Sequence, residues 1–150
     1  GSAKTTINWD NDVEVCVLSP IKGADYQDNL NDMSVVIKVT YGETSLLLTG
    51  DAESYAEELM IASEKELLQA DVLKIGHHGS STSSSQAFLD AVQPKAVVIS
   101  LGKNNDYGHP HRETMQRLKK LGTEIYRTDE LGTVRMLFTE SEVRLLKGSK

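Results

Sequence analysis

Three short apolar runs, separated by stretches of helical periodicity, constrain the fold of this chain more than any other feature. They are "TSLLLTG" (44–50), "DVLKIG" (71–76) and "KAVVIS" (95–100). Each is strand-length, rich in Leu, Ile or Val, and bounded by glycine or polar residues, as buried strands are. Between the first two lies "AESYAEELMIASEKELLQA", in which Tyr55, Leu59 and Met60 recur at helical spacing. Between the second and third lies "SQAFLDAV", with Phe88, Leu89 and Val92 on one face. After the third, "ETMQRLKKL" places Met115, Leu118 and Leu121 on one stripe, and Gly122 stops the helix. Repeated strand–helix–strand units favour parallel strands with helices packed against them.

The flanking segments differ in kind. Val13, Val15 and Val17 alternate with polar or small residues, as in a half-buried strand that Pro20 ends. "IKGADYQDNLNDM" (21–33) is polar and reads as a loop. "SVVIKVTY" and "TSLLLTG" flank Gly42-Glu43, a two-residue hairpin connection. Near the end, "TEIYRT", "TVRMLFTE" and "EVRLLK" read as strands, the first two joined through Asp129 to Gly132. The fold class is therefore α/β, with a mixed sheet and antiparallel hairpins at both ends. No repeat or linker divides the 150 residues, so residues 3–150 are expected to form one domain. Gly1-Ser2 reads as a cloning scar, so the chain is expected to be an excised piece of something longer.

Composition narrows the function classes. A net charge of −6 argues against a dedicated nucleic-acid binder, though not against a nuclease whose metals supply positive charge. The single cysteine, Cys16, forms no internal disulfide and reads as a buried hydrophobe. No run of 18 apolar residues suggests a membrane span.

All four histidines fall in two loops that follow strands: His77 and His78, then His109 and His111. Asp51 follows a third strand. The carboxyl ends of parallel strands share one edge, where ligand sites form. Asp, His-His and His-x-His from consecutive strand ends therefore meet in one expected cleft. Carboxylate oxygen and neutral imidazole nitrogen suit zinc, manganese or iron. Taken singly, each signal is weak. Gly50-Asp51 sits where a helix cap would sit, a His-His pair in a loop is often plain surface, and Pro110 fits the first turn of the following helix.

Together, "SLLLTGDAE", "ADVLKIGHHGSSTSSSQAFLDAVQPKAVVISLGKNNDYGHP" and the late "RTDELGTV" resemble the second half of a metallo-β-lactamase-fold hydrolase. More narrowly, they resemble the soluble domain of the ComEC/Rec2 competence proteins. The likeness runs from about Asn31 to Gly132. It implies half of an αββα sandwich, a mixed sheet with helices on one face. It also implies that Asp51 bridges two metals, and that one of His77 and His78, with His78 favoured, is a metal ligand while the other orients substrate phosphate or stabilises charge. His109 and Tyr107 would border the site, Gly79 and Ser80 would offer donors to an anionic oxygen, and His111 would lie on the surface.

The sequence departs from that family in one respect. The His-x-His-x-Asp-His signature of the fold's first half is missing, and no histidine precedes Asp51. A zinc site needs about three or four protein ligands. The chain is thus expected to hold no metal tightly and to be inactive alone, while its parent carries two divalent metals, Zn or Mn. The parent is expected to be a phosphodiesterase or nuclease linked to DNA uptake, on the extracellular face of a bacterial membrane or secreted. A secreted phosphoesterase acting on a phosphorylcholine-type ester is the alternative enzyme. A non-catalytic interaction module is the alternative of another class. A half-sandwich would leave an apolar sheet face open to the rest of the parent domain or to self-association.

Overall fold

The computed structural model describes residues 5–146; Gly1 and Ser2 lie outside the described residues. Nine strands and four helices follow in the order β1 (Thr5–Asn8), β2 (Val13–Ser19), β3 (Val36–Tyr41), β4 (Thr44–Leu48), α1 (Ser54–Leu68), β5 (Val72–Lys74), α2 (Gln86–Val92), β6 (Ala96–Ile99), α3 (Arg112–Leu121), β7 (Glu124–Arg127), α4 (Thr128–Leu131), β8 (Arg135–Phe138) and β9 (Val143–Leu146). Strands β1 to β7 form one sheet in sequential order. The pairs from β1 to β4 are antiparallel, and those from β4 to β7 are parallel. The mixed α/β sheet expected from the sequence is therefore present. Strand β1 was not anticipated, because "TTIN" is too polar to signal a strand.

Each parallel step carries a helix, and parallel crossovers are right-handed almost without exception. Three steps in the same direction place α1, α2 and α3 on one face. The register agrees. Leu47, Leu73 and Val97 lie opposite one another in a single row, and all three are fully buried with Met60, Phe88, Leu89 and Leu118. Burying one such aliphatic or aromatic side chain stabilises the fold by about 1.5–3 kcal/mol. The buried side of α1 is Ala56, Glu57, Met60 and Leu68; of the stripe read from the sequence, Met60 is buried and Leu59 packs against the core, while Tyr55 is exposed. Tyr55 stands at the rim, edge-on to Tyr26 at 6.3 Å. Helix α3 ends at Gly122 as expected, with φ +74° and its N–H donated to the carbonyls of Leu118 and Lys119.

The opposite face is not left bare. The β8–β9 hairpin lies over Val72, Ala96 and Tyr126, which line a cleft together with Met136, Val143 and Leu145. Its turn is tied to the β3–β4 turn: Thr44 Oγ1 donates to the Thr139 carbonyl at 2.7 Å, and Glu43 N–H to the Glu140 carbonyl at 2.6 Å. The open apolar face inferred from the sequence is thus narrowed to the β2–β4 side, where Val17, Ile37 and Leu48 are half-buried. Among the described residues no helix is long and apolar enough to cross a membrane.

Candidate metal centre at the ends of three parallel strands

Asp51 follows β4, His77 and His78 follow β5, and the loop carrying Tyr107 and His109 follows β6. All five lie at the carboxyl edge of the parallel strands and line one open cleft of about 380 Å³, with Leu101 and Asn105. His78 Nε2 stands 3.6 Å from Asp51 Oδ1. The rings of His77 and His109 are 5.7 Å apart, those of His78 and His109 6.5 Å, and Tyr107 stacks on His109 at 5.7 Å.

The His-His segment holds an unusual backbone. His77 and His78 take φ +45° and +55°, and Gly79 φ +88°. A left-handed conformation costs a non-glycine residue about 1–2 kcal/mol, and it persists where surrounding contacts over-determine it. Here they do. His77 N–H donates to the Gly50 carbonyl, Ser80 N–H to the His77 carbonyl, and His111 N–H to the Gly79 carbonyl. Gly79 is required on a second ground as well: a Cβ there would stand 2.7 Å from Pro110 Cβ.

Both histidines have one ring nitrogen committed. His78 Nδ1–H donates to the Ser100 carbonyl at 2.6 Å, and its Nε2 faces Asp51. His77 Nδ1 lies 3.1 Å from Glu53 Oε1. Glu53 was not singled out in the sequence, although it stands two residues beyond Asp51. Its carboxylate also accepts from Thr82 Oγ1, Asn31 Nδ2 and Asn29 Nδ2. Burial opposes its charge, yet these donors together hold Glu53 below the ordinary carboxylate range. Burial pushes His109 down, helped by the imidazoles of His111, His77 and His78 and opposed by Asp51.

Other expected residues are placed differently. Asp51 does not cap α1; Glu53 is the N-cap residue, and Asp51 N–H donates to Ser34 Oγ. The cap comes from the loop read only as polar. Asp32 Oδ1 accepts from the N–H groups of Glu53 and Ala56, at 3.0 and 3.1 Å. Pro110 lies before the α3 N-cap, His111, rather than in the first turn. Gly79 and Ser80 are buried and do not line the cleft; the Ser80 hydroxyl faces Thr82 Oγ1 at 2.9 Å. His111 is not a free surface residue. Its Nδ1 accepts from Ser81 N–H at 3.0 Å and its Nε2–H donates to the Tyr107 carbonyl at 3.2 Å, joining the two loops that carry the other histidines. Asn105 braces the second of these loops by bonding both the N–H and the carbonyl of His109.

Beneath the "SSTSSS" loop lies a second polar cluster. Glu57 is 1% exposed and accepts from the N–H groups of Ser84 and Ser85. Burial pushes its carboxyl up, against those bonds and the nearby Arg117. Arg117 Nη2 donates to the carbonyls of Ser81 and Ser83. The loop between the histidines and α2 is therefore fixed from below.

The family model for the metallo-beta-lactamase superfamily matches residues 31–103, the segment that supplies Asp51, His77 and His78. That segment is a metallo-beta-lactamase superfamily domain match. The chain is 40% identical, over 82% of its own length, to ComE operon protein 3 of Bacillus subtilis. It is 38% identical over 84% to competence protein ComA of Neisseria gonorrhoeae, and 37% identical over 86% to recombination protein 2 of Haemophilus influenzae. It spans only 16%, 18% and 16% of those relatives' lengths, respectively.

Proteins of this superfamily usually bind divalent metals, and the donor set here suits such ions in part. One carboxylate and two imidazole Nε2 atoms are hard or borderline donors of the right kind. Among the described residues, no group of three or more His, Cys, Asp or Glu side chains is gathered closely enough to hold an ion by itself.

Proposed function

We propose that this chain is the C-terminal wall of a di-metal phosphodiesterase, and that its parent is a nuclease acting on DNA during uptake into a bacterial cell. The observation that carries the reading is the convergence of Asp51 with His77 and His78, both with Nδ1 committed and with His78 Nε2 3.6 Å from Asp51 Oδ1. A pair of divalent ions, zinc or manganese, supplies an activated water and charge for the phosphoryl oxygens when bound. Asp51 would help hold such ions through its carboxylate, and His78 through its Nε2. His109 and Tyr107 form the outer rim, where a substrate chain would pass. The names of the competence relatives support the DNA-uptake setting, and a membrane-attached parent with this domain on its outer side fits that role.

The rest of the parent domain would supply the missing ligands and cover the β2–β4 side of the sheet. Alone, the 150-residue chain is expected to self-associate through that side. Size-exclusion chromatography over a wide concentration range reads this, and a single monomer peak throughout refutes it. The function itself is tested by phosphodiesterase and DNA-cleavage assays on the full-length parent with Mn²⁺, compared with Asp51→Ala. Cleavage abolished by the substitution supports the reading; cleavage unaffected by it refutes the role of Asp51. Absence of cleavage in the parent would favour a non-catalytic interaction module.

The net charge of −6, with Lys103 and Arg112 the cations of the "GKNNDYGHPHR" stretch, favours a second substrate class. No track for a phosphate backbone is evident in it. A small phosphate ester such as a phosphorylcholine ester, offered in competition with DNA, separates the two.

A further inference from the structure

We infer that Glu53 is the positioning residue of this site: it fixes His77 as the Nδ1–H tautomer and so turns a bare Nε2 lone pair toward the cleft. The geometry carries this. The other side-chain groups bonded to the Glu53 carboxylate are donors, namely Thr82 Oγ1 at 2.8 Å and Asn31 Nδ2 at 3.3 Å on Oε1, and Asn29 Nδ2 at 3.1 Å on Oε2. An ionised carboxylate in that setting only accepts. The proton in the 3.1 Å contact with His77 therefore belongs to Nδ1. In a neutral imidazole the other nitrogen must then be the acceptor.

The carboxylate cannot drift from this position. Glu53 is the N-cap residue of α1, its own N–H is held by Asp32 Oδ1, and its carboxylate joins the 29–31 loop to the 77–82 loop. A carboxylate behind a histidine raises the electron-donating strength of the far nitrogen and fixes the ring plane. The adjacent His78 is set by a weaker device, the neutral Ser100 carbonyl. The two histidines thus present like tautomers through unlike partners.

This deepens the proposed function and rests on it for the use of that nitrogen. A bare Nε2 serves an electron-poor partner, a divalent cation or the proton of a water. A neutral ring so held does not donate to a phosphoryl oxygen, the role that family resemblance assigned to one of the pair.

The test needs neither metal nor substrate. The ¹⁵N-labelled 150-residue chain, in chelator at about pH 8 where an ordinary imidazole is neutral, is examined by long-range ¹H–¹⁵N correlation. His77 is expected to carry its proton on Nδ1. In Glu53→Ala it shifts to the Nε2–H form, whereas in Glu53→Gln the side-chain oxygen still accepts and Nδ1–H is retained. His78 remains Nδ1–H in all three, which separates the effect from general loss of structure. An Nε2–H His77 in the unaltered chain overturns the inference, and so does a His77 signal unchanged by Glu53→Ala. If Glu53→Ala does not fold, the unaltered chain and Glu53→Gln still decide. Loss of the phosphodiesterase reading would leave these tautomers untouched, so the two failures are distinguishable.

Discussion

Replacing Asp32 by alanine should destabilise this domain out of proportion to its place in a loop. Asp32 is 3% exposed, and its Oδ1 accepts from the N–H groups of both Glu53 and Ala56. These are two of the donors that the first turn of α1 cannot satisfy by itself. Its Oδ2 accepts from Asn29 Nδ2 at 2.9 Å. A hydrogen bond to a charged group contributes about 1.5–3 kcal/mol, and a buried donor left unsatisfied costs about 1–3 kcal/mol. Loss of an ordinary exposed cap costs about 1 kcal/mol. One buried and one partly buried N–H group lose their acceptor here, and water enters the space of the missing carboxylate to recover part of the loss. The expected cost is about 3 kcal/mol. For a chain of this length that lowers the melting temperature by roughly 6–12 °C. Asp32→Asn keeps an oxygen on both N–H groups but turns an amide nitrogen toward Asn29, so its cost is about 1 kcal/mol. Urea titration with an unchanged slope measures both. The reasoning fails if Asp32→Ala costs less than about 1 kcal/mol, or if the asparagine variant is as unstable as the alanine one.

Gly79→Ala should cost about 3 kcal/mol, from a left-handed backbone and from a Cβ pressed against Pro110; its urea midpoint measures this, and a midpoint equal to that of the unaltered chain would contradict the packing. Stability should fall on acidification. The folded-state values of Glu53 and Asp71 lie below the ordinary 4.5 and 3.8, so their contribution is complete above those values and lost as pH falls through the lower folded ones, while Glu57, raised by burial, changes in the opposite sense. Urea midpoints from about pH 7 down to about pH 3 record the net loss, and a flat profile would exclude it. Metal titration calorimetry of the chain with Zn²⁺ should give weak binding that Asp51→Asn and His78→Ala each remove, whereas tight stoichiometric binding would mean that the chain holds a complete site.

What the sequence made legible was whatever depends on neighbours along the chain. The runs at Leu46–Leu48, Val72–Ile75 and Ala96–Ile99 specify strands through local apolar continuity, and the intervening helices force them parallel. Parallel strands then deliver Asp51, His77 and His109 to one edge without further instruction. The placements that differed depend on residues far apart in sequence. Asp51 looked like a cap because it precedes a helix, but the capping oxygen comes from Asp32. Glu53 looked like ordinary helix-start polarity because all four of its side-chain partners, Asn29, Asn31, His77 and Thr82, lie 22 to 29 positions away. His111 looked like surface because its partner Ser81 is 30 positions distant. These misplaced or unnoticed groups share one task. Asp32 places the backbone of Glu53, Glu53 orients His77, and His111 joins the 76–85 loop to the loop of His109. Side chains that would meet a metal or a substrate can be read from composition at strand ends. The side chains that aim them are drawn from segments with no chemical signal of their own, so they emerge only once the fold brings those segments together.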